Sequence, residues 1–412
     1  MPLGDLYDWI NEFSGHEFIW YVKRLSGNDT LANRSHQAGP YIPREFLLKI
    51  FPEMNNPEKE NPDVWFDLFI DSHADHRNIR AVWYNNKFRG GTRNEARLTN
   101  FGGSTSALLD PESTGAIAIF SFRLKEGSGV IDCHVWVCSH ETEEDVVENK
   151  IGPVEPGSWV VWTPDKPGQS SLFNKGKPPR KNCWLDKNQI PESWLVKFPD
   201  SAEIIKKSVQ ISPFDTINPD KRILKRRECE FQVFRSLEEV IELPLIQKGF
   251  NSIDDFIAKA QTILQRRKAR SGRSLELHTL EIFIEDGLRK DIDFSHHPES
   301  EKGKRPDFLF PSESAYKDDS FPDSKLKMLA VKTTCKDRWR QILNEADRVI
   351  TKHLLTLQEG VSENQFQEMC EANVQLVVPE PLIRFYPKAI QADLQTLESF
   401  MADVRLLNLG LG

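Results

Sequence analysis

The sequence predicts two domains of different class, an all-β domain followed by an α/β domain. Aromatic and β-branched runs separated by turn residues fill roughly the first 165 positions, whereas later apolar residues recur mainly at helical spacing. A stretch rich in Pro, Gly, Ser and Lys at 163–181 separates the two patterns. A chain of 412 residues can bury two cores, so we place the domains at 1–165 and 186–412, joined by a linker at 166–185.

Six apolar runs predict the strands of the first domain and favour a barrel or sandwich. They lie at 18–22, 64–70, 79–84, 116–122, 130–137 and 159–162. Cys133, His134, Cys138 and His140 are residue types of a zinc site, but an odd spacing along a strand turns the two cysteines to opposite faces. We therefore expect no metal there. Six cysteines in so long a chain do not make a disulfide framework, and reduced thiols are the default expectation.

The second domain is predicted to combine helices and strands. Ser252 and Asp255 form a capping signature ahead of one helix, and Gly287 ends a second helix at 275–285. Strands are expected at 307–310, 328–332 and 374–378, with a long helix at about 337–358 and a final helix at 389–407. This mixture predicts an α/β fold.

The charge balance is mildly unfavourable for a protein that binds nucleic acid. There are 54 basic and 62 acidic residues, a net charge of −8, whereas a duplex binder gains from neutralising phosphates. Basic stretches at 175–181, 221–227 and 266–273 must supply the contacts, and we expect the acidic run at 141–148 to be a solvated face turned away from DNA. Long apolar runs and a signal peptide pattern are lacking, so we expect a soluble, cytoplasmic protein without a membrane partner.

The segment 305–345 contains the pattern of a metal-dependent nuclease. Asp307 follows a proline at the head of one apolar run, and Lys332 ends another. A carboxylate can hold a divalent ion, while a lysine stabilises charge and orients the attacking water. Position 330, on the same strand face as Lys332, would carry the second acidic ligand but is alanine. Glu345, predicted on the following helix, is the natural replacement, so we expect Asp307 and Glu345 to bind a divalent metal ion.

The block Lys336-Asp337-Arg338 follows at a predicted strand-to-helix junction. Lys and Arg donate to guanine edges and Asp accepts from cytosine N4, so this block suits the reading of G·C pairs. The alternative is a helix start with a solvated charge cluster and an Asp in its first turn.

These segments resemble a known family. PDFLFPS at 306–312, LAVKTTCKDRWRQILNEAD at 329–347 and SLELH at 274–278 resemble the catalytic domain of EcoRII-type restriction endonucleases. KRLSGNDT at 23–30, HQAGPYIP at 36–43 and TRNEARLTNFGG at 92–103 resemble their effector DNA-binding domain. The resemblance implies an N-terminal pseudobarrel, similar to plant transcription-factor domains, and a PD-(D/E)xK nuclease domain. It also implies Mg²⁺-dependent cleavage of double-stranded DNA at CC(A/T)GG or a close relative, leaving 5′ ends.

Further residue roles come from this resemblance. Glu276 is implied as an additional or second-shell metal ligand, with an exposed helix residue as the alternative. Arg227 and Phe231, four apart on one helix face, are implied to clamp a flipped base, with core packing of Phe231 as the alternative. Phe231 replaces the family's tyrosine. The implied effector contacts are Lys23, His36, Tyr41, Arg93, Asn94, Glu95 and Arg97.

For the effector contacts, a solvated loop at 92–97 is the alternative, and Gly91 stands where the family has a basic residue. A palindromic site implies a homodimer through the C-terminal domain. The resemblance also implies a cognate cytosine methyltransferase as genetic partner and autoinhibition by the N-terminal domain. The rival from another class is a non-catalytic DNA-binding regulator with a decayed nuclease core. Methyltransferase activity is not expected, because no suitable Gly-rich cofactor loop precedes a helix.

Overall fold

The computed structural model describes residues 3–33, 39–125, 129–163, 183–214 and 216–409. The chain forms two compact units. Unit 1 comprises Met1–Gly176, Gln358–Phe366 and Arg384–Ala392, and unit 2 comprises Lys177–Leu357, Gln367–Ile383 and Asp393–Gly412. Two short segments of unit 1 thus come from the part of the chain that the sequence assigns to the second domain. The predicted linker up to residue 182, with the basic stretch 175–181, lies outside the described residues.

Unit 1 is built on one seven-stranded sheet in the order β4-β3-β2-β6-β5-β1-β7. Its neighbouring strands are antiparallel except β2 and β6, which are parallel. The elements are α1 (Leu3–Glu12), β1 (Phe18–Arg24), α2 (Arg44–Ile50), β2 (Asp63–Ile70), β3 (Asp75–Tyr84), β4 (Glu95–Thr99), β5 (Ile117–Leu124), β6 (Val130–Val137), α3 (Glu141–Ile151) and β7 (Trp159–Trp162). All six predicted strands are present. Strand β4 and the three helices were not predicted.

The alternation of side chains along a strand creates two separate cores in unit 1. In β1, Tyr21 packs into the core on one face, whereas its neighbours Trp20 and Val22 pack into the other core. Cys133 and Cys138 likewise lie in different cores, which confirms that they point to opposite faces.

The expectation of a solvated acidic face at 141–148 is wrong. Helix α3 buries Glu144 and Glu148 against the sheet, where both bind the buried guanidinium of Arg24 at 2.7 and 3.1 Å. Glu143 is also buried and accepts a hydrogen bond from the backbone N–H of Ser139. Buried carboxylates are tolerated when they are paired in this way, and the pairing is tertiary, so the local sequence did not reveal it.

Unit 2 is an α/β assembly around a five-stranded sheet in the order β12-β11-β10-β9-β8. Strands β10, β11 and β12 are parallel, whereas β8, β9 and β10 pair antiparallel. Beyond residue 183 the elements are α4 (Glu192–Val196), α5 (Ser201–Ile211), α6 (Pro219–Ile241), α7 (Leu243–Lys248), α8 (Ile253–Glu285), β8 (Ser295–His296), β9 (Phe308–Phe310), α9 (Glu313–Lys317), β10 (Lys327–Lys332), β11 (Lys352–Thr356), α10 (Glu363–Glu371), β12 (Val374–Val377) and α11 (Leu397–Leu409). None of the helices among the described residues has the length and apolarity needed to cross a membrane.

Helix α8 runs without interruption where two helices were predicted. The Ser252 hydroxyl accepts from the N–H of Asp255 at 3.1 Å, which confirms the predicted cap. The polar stretch between the two predicted helices stays helical because its arginines form ion pairs with glutamates of α6 and with the glutamate that caps its C-terminal end. Arg266 binds Glu242, Arg267 binds Glu238 and Arg270 binds Glu230, all at 2.6–2.8 Å.

The prediction of a long helix at 337–358 is also wrong. A short 3₁₀ helix spans Arg338–Asn344, Ala346 adopts φ +48°, and the chain then enters β11. A residue with left-handed dihedrals does not continue a helix. A strand that is buried between two others appears in the sequence as a continuous apolar run, which does not distinguish it from a buried helix. At the C-terminus, a 3₁₀ turn at Gln391–Asp393 precedes α11, so the helix expected at 389–407 begins later.

One pair of cysteines departs from the expectation of reduced thiols. Cys183 and Cys229, 46 residues apart in sequence, form a disulfide with Cα atoms 5.2 Å apart. Both lie in one apolar cluster with Val233 and Phe234 of α6. The fold brings the two residues together, which the spacing in sequence does not show. Cys133, Cys138, Cys335 and Cys370 are reduced cysteines that form no disulfide among the described residues.

Candidate active site

Asp307 lies immediately before β9 and contacts β10. Its Oδ2 accepts a hydrogen bond from the N–H of Val331 at 2.7 Å, next to Lys332 at the end of β10. The antiparallel register pairs Phe308 with Leu329, which places the two strand ends side by side. The structure therefore brings Asp307 and Lys332 together as the sequence predicted. Ala330 is fully buried, so its strand position offers no ligand.

Glu345 joins this pair from a different kind of backbone than predicted. It follows the 3₁₀ helix and has extended dihedrals, φ −94° and ψ +143°, rather than a mid-helix position. Lys352, buried at the start of β11, donates from Nζ to the carbonyl oxygens of Glu345 and Ala346 at 2.7 and 2.6 Å. Sequence reasoning missed Lys352, because that residue was expected inside a helix.

Burial and mutual repulsion control the protonation of the two carboxyls. Burial raises the pKa of Asp307, opposed by the hydrogen bond from Val331 and the charge of Lys332, and Glu276 raises it further. Burial also raises the pKa of Glu345 to about 7; the charge of Asp307 adds to this effect, while Lys332 and Lys352 oppose it. Burial is the largest cause of both pKa shifts, so the charged forms of the two carboxyls are disfavoured until a cation compensates them.

The residues present fit a divalent metal. Glu345 Oε2 is buried, and no donor among the described residues forms a hydrogen bond with it. A buried carboxylate oxygen without a partner is costly. The nearby carboxylate of Asp307 supplies a second hard oxygen, the ligand type that Mg²⁺ prefers.

A second cluster adjoins this centre; it contains Glu276, which the family resemblance implied as a metal ligand, and two histidines that were not foreseen. Glu276 of α8 accepts at Oε1 from Nε2 of His296 at 2.7 Å and from Nε2 of His297 at 2.8 Å. Burial raises the pKa of Glu276, but the hydrogen bonds and charges of the two histidines outweigh it and lower the pKa below its ordinary value. For these two histidines, the only indication in the sequence was that they are adjacent, at 296–297.

The block predicted to read bases lies just beyond β10. Lys336 and Asp337 form a turn, and Arg338 begins the 3₁₀ helix, with all three side chains half-buried. The buried Trp339 anchors this turn. The block thus follows directly on the strand that carries Lys332.

Arg227 and Phe231 share helix α6 but have different surroundings. The Arg227 side chain is buried, with Nε 3.3 Å from the hydroxyl of Ser274. Phe231 is 47 % exposed, so the alternative of core packing is wrong. The guanidinium that lies over its ring, 5.0 Å from the centroid, belongs to Arg270 rather than to Arg227.

Four of the predicted effector contacts line one cavity of about 760 Å³ in unit 1, namely Lys23, Tyr41, Arg93 and Arg97. Lys23 is buried and binds Asp29 at 2.7 Å. Tyr41 is 58 % exposed. His36 lies outside the described residues.

The segment 92–97 is not the loop that was predicted, because Glu95 and Arg97 belong to β4. Glu95 accepts from Arg93 at 2.6 Å and from Arg97 at 3.0 Å. The Arg93 guanidinium also lies 3.9 Å from the Tyr84 ring centroid. Asn94 accepts from the indole N–H of Trp83 at 2.9 Å. Strand pairing and these contacts hold the segment in place.

Comparisons with known proteins identify two matching family models and one full-length relative. Family models described as "EcoRII C terminal" and "Restriction endonuclease EcoRII, N-terminal" match residues 234–401 and 14–166. The "Type II restriction enzyme EcoRII" of Escherichia coli is 42 % identical over 408 residues, which cover 98 % of each chain.

Two solved structures show more distant likeness. The chain of metal-depleted Ecl18kI in complex with uncleaved, modified DNA is 18 % identical, covers 53 % of this chain and 84 % of its own, and has a TM-score of 0.44. The B3 domain of the UbaLAI restriction endonuclease with cognate DNA is 21 % identical, covers 38 % of this chain and 98 % of its own, and has a TM-score of 0.26. The full-length relative and the two family models carry the assignment: the chain belongs to the EcoRII family of type II restriction enzymes, which are site-specific deoxyribonucleases.

Proposed function

We propose that this protein cleaves double-stranded DNA at CC(A/T)GG or a close relative, with Mg²⁺ held by Asp307 and Glu345. The observation that carries the proposal is the buried, unpartnered Oε2 of Glu345 in a centre whose second carboxylate, Asp307, is bonded to the strand of Lys332. When bound, the metal supplies a Lewis acid and lowers the pKa of a coordinated water.

The protein's own side chains bind the metal, orient the water and stabilise charge. Asp307 and Glu345 fix the cation relative to the strand ends. Lys332, near enough to lower the pKa of both carboxyls, orients the attacking water and stabilises charge on the phosphate. Glu276, whose charge acts on Asp307, is proposed as an additional metal ligand that lies outside the Asp307–Glu345 pair. Lys352 positions the backbone of Glu345.

Cleavage of plasmid DNA as a function of Mg²⁺ concentration, followed by run-off sequencing of the ends, tests this function. We expect cuts at one sequence class, with 5′ overhangs, that require the metal and are lost in Asp307→Ala and Lys332→Ala. Specific binding without cutting under all metal conditions would instead support the rival regulator with a decayed core. The presence of Asp307, Lys332 and Glu345 in one place counts against that rival.

Recognition is proposed to involve two further sets of residues. Lys336, Asp337 and Arg338 would read G·C pairs from the turn after β10. Arg227 and Phe231 would hold a flipped base. The half-exposed ring of Phe231 favours stacking on the base, and the buried Arg227, bonded to Ser274 of α8, would hold the Phe231 segment of α6 in place beside it. A palindromic site would be cut by a homodimer formed through the C-terminal domain.

The N-terminal domain is proposed to be an effector-controlled inhibitor. We take the domains as 1–165 and 186–412 with the linker at 166–185. The effector contacts would be Lys23, His36, Tyr41, Arg93, Asn94, Glu95 and Arg97. Glu359 supports control of this surface, because it lines the same unit 1 cavity as Lys23 and its carbonyl accepts from Gly27 N–H at 2.6 Å.

An acidic side chain inside a DNA cleft opposes the entry of phosphate. Burial raises the pKa of Glu359, an effect that Lys23 opposes. DNA that binds in the cavity would have to displace the backbone segment that carries Glu359. Effector binding is therefore coupled to a conformational change of that segment. We further propose a cytoplasmic location and a cognate cytosine methyltransferase as genetic partner.

A further inference from the structure

We propose that Glu276, His296 and His297 form a second cation site, specific for a borderline ion such as Zn²⁺ or Co²⁺, beside the Mg²⁺ centre. Their candidate ligand atoms all lie within 4.8 Å of one another. Glu276 comes from α8, whereas His296 ends β8 and His297 follows it directly, so two backbone segments converge on one point. The metal site itself does not depend on the nuclease assignment.

The backbone at His297 is what brings the two imidazoles together. Neighbouring residues of a strand point to opposite faces, so a regular continuation of β8 would separate the rings. His297 instead adopts φ +52°, which is rare for a residue with a side chain. Both Nε2 atoms then approach the same oxygen, Glu276 Oε1, with ring centroids 4.3 Å apart.

Other contacts hold the ligands in place. The His296 ring stacks on Phe308 with centroids 5.1 Å apart, and the His297 N–H donates to the carbonyl of Asp307 at 3.0 Å. The Glu276 carboxylate is buried, whereas the His297 side chain is 42 % exposed. The cluster is therefore rigid on its inner side and open on its outer side, where water or a phosphate oxygen can complete the coordination.

The ligand set determines the class of ion. Two imidazole nitrogens and one carboxylate oxygen suit Zn²⁺, with a fourth position left open. Mg²⁺ prefers oxygen ligands alone, as offered by Asp307 and Glu345. The two sites should therefore select different cations. Because Asp307 O accepts from His297 N–H, an ion bound by the histidines would place positive charge close to the Mg²⁺ ligand.

Titration of the metal-free full-length protein with Co²⁺, followed by visible absorption, tests the proposal. We expect one Co²⁺ per chain with nitrogen coordination, displaced by Zn²⁺ but not by excess Mg²⁺. His297→Ala and His296→Gln should each weaken Co²⁺ binding by about 100-fold or more, since even changes around metal ligands cost 10–100-fold. Circular dichroism would verify that the variants are folded.

His76→Ala is the matched control, because His76 also binds a surface carboxylate, Asp67, at 3.2 Å, and among the described residues no second histidine joins that pair. It should leave Co²⁺ binding unchanged. Equal Co²⁺ affinity in wild type and His297→Ala, or displacement of Co²⁺ by Mg²⁺, would overturn the proposal. Asp307→Ala separates this result from the proposed function: it should abolish Mg²⁺-dependent cleavage and keep the Co²⁺ spectrum. Loss of the spectrum in that variant would mean that only one shared site exists.

Discussion

The ammonium of Lys352 donates to the carbonyl oxygen of Glu345 at 2.7 Å, so a buried residue of β11 fixes the backbone of a proposed metal ligand on the preceding turn. A second bond from the same Nζ reaches the carbonyl oxygen of Ala346, which follows Glu345 with a positive φ. Burial lowers the pKa of Lys352. Two backbone acceptors offset the cost of burying this group, and the bend that they stabilise directs Glu345 away from a helical path.

Lys352→Met is therefore expected to weaken Mg²⁺ binding. Loss of both hydrogen bonds would free the turn, so the Mg²⁺ concentration for half-maximal cleavage should rise by about 10–100-fold, while cleavage at saturating Mg²⁺ falls less. A Mg²⁺ titration of cleavage rate measures this. The control is Lys327→Met on β10, whose lysine forms a more exposed pair with Asp403. A uniform loss of rate with unchanged Mg²⁺ dependence would contradict a positioning role.

The local parts of the site were predictable, and the tertiary parts were not. Asp307 and Lys332 each stand at the end of an apolar run, a pattern that short strands display in sequence. The environment of Glu345 was mispredicted because the buried run of β11 cannot be told from a helix by periodicity alone. His296 bonds to Glu276, 20 positions away in sequence, and Arg24 pairs with Glu144, 120 positions away. Contacts over such separations cannot be recognised from the local sequence.

Magnesium binding should depend on pH through Glu345. Its pKa of about 7 in the metal-free protein means that the carboxyl is largely protonated at pH 6 and ionised at pH 8. Because Mg²⁺ needs the ionised form, its affinity should rise with pH through about 7 and then level off. Isothermal titration calorimetry of the wild-type protein with Mg²⁺ across this range, in the absence of DNA, measures the effect. An affinity that does not change between pH 6 and pH 8 would argue against Glu345 as a ligand.

The Glu345 carboxyl should also make folding stability depend on pH, and here the stability falls as pH rises. The pKa of Glu345 is raised from 4.5 to about 7 on folding, so the folded state binds the proton more tightly. Its favourable contribution is fully present below pH 4.5 and is lost as pH rises through about 7. Glu345→Gln should therefore raise the Tm of the metal-free protein more at pH 8 than at pH 5. Thermal unfolding at both pH values, with Glu371→Gln as a control at the exposed end of α10, decides this. An equal Tm change at both pH values would show that the carboxyl is not buried as described.

Arg338→Ala should reduce discrimination between DNA sequences. If Arg338 donates to a guanine edge, its loss should cost about 1–3 kcal/mol of preference at one base pair. Affinities for the cognate duplex and for single-mismatch duplexes, measured without Mg²⁺, give this value. Arg340→Ala is the matched control, because its guanidinium is already paired with Glu368 at 2.5 Å. A uniform loss of affinity for all duplexes, with a smaller salt dependence, would assign Arg338 to phosphate contact instead.

Arg97→Ala should weaken the response of cleavage to a second DNA site. Arg97 lies on β4 and lines the unit 1 cavity, so the variant should require more effector DNA for the same stimulation. Glu359→Gln should act in the opposite direction, because it removes a negative charge from the same cavity and so favours the state that effector DNA selects. Rates on one-site and two-site plasmids, with and without added site-bearing oligonucleotide, distinguish these effects. Arg80→Ala controls for the loss of a basic side chain, since Arg80 pairs with Asp63 on neighbouring strands. Equal rates on one-site and two-site plasmids for the wild type and both cavity variants would mean that the cavity does not control cleavage and that the N-terminal domain serves only as a tether.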